Sequence, residues 1–157
     1  MLGLAFSPSE MSSANRHIIP FDPAQHTDAV VRLYRLVFGY ETAHNEPHLA
    51  IRKKVAVADG LFFVSVTQDG AATGTIMAGY DGHRGWIYSL AVDPGWRHQG
   101  IGSLLVRHAE QALVAQGCLK INLQIVTSNA AVQRFYEKLG YRVEPRVSMG
   151  KIVGDNP

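Results

Sequence analysis

Residues 96–105 read WRHQGIGSLL: two glycines one residue apart follow an arginine and open a run of apolar residues at helical spacing. The first turn of a helix carries backbone N–H groups without intrahelical acceptors, and its dipole favours negative charge there. Glycine at positions 100 and 102 permits close approach of a bulky anion and unusual dihedrals, at an entropic cost. Arg97 can add charge-assisted hydrogen bonds. These types at this spacing point to a pyrophosphate cradle at a helix N-terminus. The stretch is not a Walker loop, because Gly102 is followed by Ser103 and Leu104. It is not a dinucleotide fingerprint either, because Leu105 stands where a third glycine would. Taken alone, it is equally readable as a loop that needs two glycines to turn from strand to helix.

About thirty residues later comes SNAAVQRFYEKLGY (128–141). Asn129 and Tyr136 lie two helical turns apart and share a helix face. Tyr136 is either a core aromatic or a group with a hydroxyl proton to give. Asp81 and His83 sit in a turn, where a histidine is more often simply solvated; His83 is a candidate base, with ordered water as the other route for a proton. Cys118 follows a helix stop and precedes a strand, so it reads as packing rather than as a nucleophile. Arg52-Lys53-Lys54 reads as the wet face of a helix. No His/Cys/Asp/Glu grouping has metal-ligand spacing, so no metal is expected, and no Ser-His-Asp arrangement is apparent.

The elements that must position these residues follow from periodicity and turn chemistry. HIIPF (17–21) reads as a short edge strand ended by Pro20. Thr27 reads as a helix cap before Val30, Leu33, Tyr34 and Val37, with Gly39 as the stop; Asn45 with Pro47 reads as a second start, stopped at Gly60. LFFVSV (61–66) and ATGTIMAGY (72–80) are strands joined through Asp69-Gly70, and WIYSLAV (86–92) completes an antiparallel meander. A helix from about Gly100 to Gln116 carries Ile101, Leu104, Leu105, Ala109, Ala112 and Leu113 on one stripe. INLQIV (121–126) is the next strand, and the strand–helix–strand spacing implies a right-handed crossover to a parallel neighbour. Asn129 caps a helix stopped by Gly140, and YRVEPRVSMGKIV (141–153) supplies two short strands with a bend at Pro145. The expected fold is α/β, a mixed and mostly antiparallel central sheet with helices on both faces.

The chain has 157 residues, enough for one domain. Residues 1–16 read as a loose leader and 17–157 as the domain. A net charge of +2 is too small to argue for nucleic acid or an anionic membrane. The single cysteine fits a reducing, cytoplasmic setting, and no apolar run approaches a membrane span.

Arg97-x-x-Gly100-x-Gly102 after a strand ending LAVDP, followed by Asn129, Tyr136 and Gly140-Tyr141, resembles the GNAT superfamily of acyl-CoA-dependent N-acetyltransferases. The resemblance covers roughly residues 17–153 and is strongest over 86–143. AGYDGHRGW (78–86) is also similar to a bacterial group of small uncharacterised acetyltransferases. The resemblance implies a single acyl-CoA N-acyltransferase domain using acetyl-CoA. The strand matching Ile87 to Val92 would splay from its parallel neighbour, 121–126. Pantetheine would then pair with the backbone of Leu90, Ala91 and Val92. The backbone of Arg97, His98, Gln99, Gly100, Ile101, Gly102 and Ser103 would hold the pyrophosphate. Asn129 would hydrogen-bond the pantetheine, and Tyr136 would be the catalytic acid beside the thioester sulfur. Two departures bear on the base. WIYSLAV lacks the glutamate that many members carry on that strand, and Gln124 stands where the ribosomal-protein alanine branch has a glutamate. The implied partner is an amine, from a small molecule, a protein N-terminus or a lysine, acted on by a monomer or homodimer. A non-catalytic module that senses acyl-CoA, or holds another phosphorylated ligand, is the second class of function these motifs fit.

Overall fold

In the computed structural model, residues 16–39 and 43–154 are described. Apart from Arg16, the leader expected over 1–16 lies outside them. The chain divides into two compact units, residues 1–122 and 123–157.

The first unit is built on a five-stranded sheet in the order β1-β2-β3-β4-β5. The strands are β1 (Arg16–Pro20), β2 (Phe62–Thr67), β3 (Ala72–Tyr80), β4 (Gly85–Val92) and β5 (Ile121–Asn122). The first four pair antiparallel and β5 pairs parallel to β4, as a crossover through one helix requires. The helices of this unit are α1 (Pro23–Phe38), α2 (Pro47–Val57) and α3 (Ile101–Ala115).

Alternation along β2 serves both faces of the sheet. Phe62, Val64 and Val66 enter a core with Val30, Val31, Leu33 and Tyr34 of α1 and Ile51 of α2. On the opposite face the Phe63 ring meets the His108 ring of α3 edge-on at 4.5 Å, above buried Ile101, Leu105, Val106, Ala109 and Leu113. Gly74 sets how close α3 can come. A Cβ there would stand 3.0 Å from Leu105 and 3.1 Å from both Ile101 and the Ala91 carbonyl. The absence of a side chain at 74 thus seats the first turn of α3 on β3.

β4 carries a bulge. Thr75 pairs with Ala91 and Met77 with Tyr88, so β4 spends one more residue than β3 over that interval, and Ser89 takes up the turn at φ +52°. An extra residue reverses the alternation beyond it, which puts Ala91 in the same core as Met77. On the other side of β4, pairing with β5 stops after Gly85↔Ile121 and Trp86↔Asn122.

Several expected boundaries move. α1 starts at Pro23 under Asp22, whose carboxylate accepts the amides of Ala24 and Gln25. Thr27 is inside the helix, its hydroxyl donating to the Pro23 carbonyl at 2.6 Å. The cap of α2 is Glu46, not Asn45; its carboxylate accepts the amides of His48 and Leu49, which hold its pKa below the usual range. The strand expected over 121–126 is two residues long. In the second unit, α4 (Ala130–Lys138) is the one regular element among the described residues, and 141–153 forms no strand. An apolar run becomes a strand only where a ladder partner completes its backbone hydrogen bonds, and among the described residues 123–126 and 141–153 join no ladder.

Candidate functional site

The 96–105 stretch folds into a short 3-10 turn, an exposed loop and the start of α3. Asp93 opens the turn, its Oδ1 accepting the Gly95 amide at 2.8 Å. His98 then adopts φ +61° and Gly100 φ +78°, both left-handed. For a residue with a side chain, that conformation costs roughly 1–2 kcal/mol. A Cβ on Gly100 would meet nothing within 4 Å, so the dihedral, not crowding, selects glycine there.

Gly100 is the N-cap of α3 and has no side chain to accept a hydrogen bond. The first amide to bond back is Leu104, to the Gly100 carbonyl at 3.1 Å. The N–H groups of Ile101, Gly102 and Ser103 therefore have no intrahelical acceptor and form the positive end of the helix dipole. Arg97, His98, Gln99 and Gly100 are exposed, Gly102 and Ser103 half-buried and Ile101 buried. Alongside, Leu90 and Val92 are half-buried and Ala91 is buried, on the length of β4 that β5 leaves unpaired. Thus open amide donors, a neighbouring cation and an unladdered strand edge come from one continuous stretch of chain. Such an arrangement can bind an anion and pair with an extended amide-containing arm.

In the second unit, Asn129 is the N-cap of α4, and its Oδ1 accepts the Val132 amide at 3.2 Å. Tyr136 lies two turns further along the same helix and is 6 % exposed. Its ring meets Phe135 at 5.0 Å and Tyr141 at 5.5 Å, both edge-on. Burial pushes its hydroxyl pKa up to about 12, so the group holds its proton at neutral pH. Gln124 is exposed and its amide donates to the Ser148 hydroxyl at 2.6 Å.

The turn between β3 and β4 is organised by Asp81. Its Oδ1 accepts the amides of His83 (2.8 Å) and Arg84 (2.7 Å), and its Oδ2 accepts Trp86 Nε1–H at 3.4 Å. Those donors lower its pKa, the Arg84 and His83 amides most. Asp81 is therefore a turn-forming group, and His83 is an exposed residue at the tip. Cys118 is buried, its Sγ 3.2 Å from the Lys120 carbonyl. Among the described residues no group of His, Cys, Asp and Glu could hold a metal ion, and no helix is long and apolar enough to cross a membrane.

Two residues escaped the sequence reading. Arg52 and Lys53 are exposed as expected, but Lys54 is buried. Its ammonium donates to Asp59 at 2.7 Å and to the Ala78 carbonyl, and lies 5.7 Å from the Tyr88 ring centroid. Three partners for three N–H groups make burial of that charge tolerable. Its place three residues after buried Ile51 was the available signal. Arg16, placed in the leader, belongs to β1 and reaches the loop before α3, donating from Nη1 to the Gln99 carbonyl at 2.8 Å and from Nη2 to Gln99 Oε1. No local pattern announces a contact across 83 residues of chain.

Residues 27–141 match the acetyltransferase (GNAT) family. An acetyltransferase of Yersinia enterocolitica is 39 % identical over 107 residues, 68 % of this chain and 75 % of that protein. Among solved structures, Ard1 from Thermoplasma volcanium superposes with a TM-score of 0.71 at 24 % identity, over 83 % of this chain and 84 % of that one. The aminoglycoside N-acetyltransferase AAC(6')-Iy in complex with CoA does so at 0.71 and 20 % identity, over 87 % and 94 %. Both structures share the fold seen here, and the sequence match over most of the chain decides the kinship: the protein belongs to the GNAT acetyltransferase family.

Proposed function

We propose that the protein transfers an acetyl group from acetyl-CoA to an amine by direct attack. The observation that carries this reading is the open start of α3, with left-handed Gly100 and no side-chain cap, directly after Arg97 in a chain of this family. On this reading Arg97 and the amides of residues 98–103 hold the pyrophosphate, and the backbone of Leu90, Ala91 and Val92 pairs with the pantetheine arm. Asn129 hydrogen-bonds the same arm.

The neutral amine attacks the thioester carbonyl carbon, and an amide near Leu90 or Val92 stabilises the developing oxyanion. The C–S bond then breaks and coenzyme A leaves as a thiolate, which takes the Tyr136 hydroxyl proton; the phenolate regains a proton from the water that receives the one released by the nitrogen. The extra proton on the acetylated nitrogen passes to water, because β4 carries no glutamate and His83 is an exposed turn residue. With one cysteine and no disulfide to form, such an enzyme suits the cytoplasm.

Release of free CoA against a panel of amines tests the reading. The panel holds aminoglycosides, polyamines, peptide N-termini and lysine peptides, beside small metabolite amines. Acetyl-dependent CoA release with one of these, and mass gain of one acetyl on the amine, is the expected result. Tight CoA binding with no turnover on any member would favour an acyl-CoA sensor, which the missing β4 glutamate also fits.

A further inference from the structure

We propose that Arg16 is a positioning residue for coenzyme binding: from β1 it holds the 96–99 loop in the shape that presents its amides to the pyrophosphate. The inference rests on the reading of residues 97–103 as that cradle.

The backbone hydrogen bonds that hold the loop locally stand at its two ends. The Trp96 amide bonds back to Asp93 at 2.8 Å, and the next local bond is Leu104 to Gly100. Between them lie exposed Arg97, His98 and Gln99, with left-handed conformations at His98 and Gly100. Arg16 grips both sides of His98. Its guanidinium carbon is 5.8 Å from the Trp96 ring centroid, and its two terminal nitrogens donate to the carbonyl and the side-chain oxygen of Gln99. A guanidinium is a rigid planar fork, so satisfying two acceptors within cation–π reach of a ring fixes its orientation as well as theirs. Arg16 is itself fixed, paired with Thr67 of β2.

The bond to the Gln99 carbonyl has a consequence one atom further on. In a trans peptide the C=O and the following N–H point in opposite directions. Turning the Gln99 carbonyl toward Arg16 therefore turns the Gly100 N–H away from Arg16. Arg16 acts on the cradle through the loop backbone and contributes no donor of its own to the ligand. If the released loop spends about a tenth of its time in this shape, apparent affinity for a ligand that needs it falls about tenfold.

The test is calorimetric titration of the full chain, as wild type, Arg16→Ala and Arg16→Lys, with CoA and with pantetheine, which lacks every phosphate. Arg16→Ala should bind CoA about tenfold more weakly and pantetheine within twofold of wild type. Arg16→Lys should recover part of the loss, because an ammonium can serve the Gln99 carbonyl but has one nitrogen where the guanidinium brings two to Gln99. Should Arg16→Ala be unfolded, a Lys variant that loses affinity for CoA alone carries the same conclusion. Unchanged CoA affinity in both variants overturns the proposal, and so does equal weakening of the two ligands, which would make Arg16 a general prop. A wild type that binds CoA no more tightly than pantetheine overturns the cradle reading itself, a result distinct from either.

Discussion

α3 and α4 begin in opposite ways. α4 starts at Asn129, whose own side chain accepts the Val132 amide; α3 starts at Gly100, which offers its first-turn amides nothing. α1 and α2 follow the α4 rule, under the carboxylates of Asp22 and Glu46. A polar side chain before a helix satisfies the end of that helix internally and gains stability by it. A left-handed glycine forgoes that gain and leaves the same donors to whatever arrives from solvent. The two stretches also differ in what they expose. The loop before α3 is solvent-facing from Arg97 to Gly100, whereas the Tyr136 hydroxyl of α4, the proposed acid, is in a buried side chain. On the proposed reading, one end receives charge and the other holds a proton.

Giving α3 a start like that of α1 should produce the largest effect. Gly100→Asp places a carboxylate at the helix N-terminus, where the dipole favours it, on a residue type that tolerates the left-handed region. The same carboxylate repels a pyrophosphate. CoA affinity should fall at least about a hundredfold by titration, the scale of losing a charge-assisted cluster and gaining like-charge repulsion. The stabilisation of about 2.7 kcal/mol that ligand at a hundredfold excess over its dissociation constant confers should vanish with it. A Gly100→Asp protein that folds and binds CoA as wild type does would remove the difference between the two helix starts as a functional one.

On the α4 side, Tyr136→Phe keeps the ring among Phe135 and Tyr141 and removes only the proton. Loss of a general acid costs about 10²–10⁴ in rate. A thiolate is a tolerable leaving group, so kcat should fall roughly a hundredfold, with CoA affinity little changed. The sign of the pH dependence follows from the raised pKa. The protonated hydroxyl is the active form, so kcat should hold until pH rises toward about 12. The folded protein keeps the proton that the unfolded chain releases near the ordinary tyrosine value of 10.0. Stability from this group is therefore full below pH 10 and lost as pH climbs through about 12. Denaturation curves should show that loss in wild type and not in Tyr136→Phe; equal kcat in the two proteins would return Tyr136 to packing alone.

Asn129 permits a finer cut, because its amide group has two ends. The oxygen caps α4; the nitrogen is the proposed donor to the pantetheine. Asn129→Asp keeps the capping oxygen and deletes the donor, so stability should hold while CoA affinity drops about threefold to tenfold, the worth of one hydrogen bond. Asn129→Ala deletes both and should also cost about 1 kcal/mol of stability. Full CoA affinity in Asn129→Asp would confine this residue to its helix.

What could be read from the sequence divides along the same line between local and distant causes. β3 spans 72–80 as alternation and the Asp69-Gly70 turn imply, and α3 falls within one residue of its expected ends, because both signals are local. The starts of α1 and α2 were also written locally, as Asp22-Pro23 and Glu46-Pro47, a proline at the first helical position behind a capping side chain; Thr27 and Asn45 drew attention away from them. The rest depends on partners. Lys54 is inside because Asp59, Ala78 and Tyr88 converge on it, and β5 is short because its ladder with β4 ends at Asn122. The bulge at Ser89 has no glycine to mark it. The glycines and Arg97 of the α3 start were visible as a motif, while Arg16, which braces that motif, was visible only in three dimensions.

The smallest effect belongs to His83, the one exposed histidine that the sequence offered as a base. It stands at the tip of a turn held by its own backbone: the His83 amide donates to Asp81 at 2.8 Å, and the Arg84 amide does so at 2.7 Å. His83→Ala leaves both bonds in place, since neither uses the imidazole, so the turn should keep its shape and the protein its melting temperature. If water carries the proton away, kcat on a good amine should stay within about threefold of wild type, well short of the 10²–10⁴ that loss of a working acid or base costs. Asp81→Ala is the control, because it removes the acceptor of both amides and of the Trp86 indole while leaving the imidazole intact. A turn that matters only as scaffold near the second substrate predicts a raised KM for the amine in Asp81→Ala and an unchanged one in His83→Ala. A fall in kcat of several hundredfold in His83→Ala, with KM unchanged, would make this histidine the base and displace water from the mechanism.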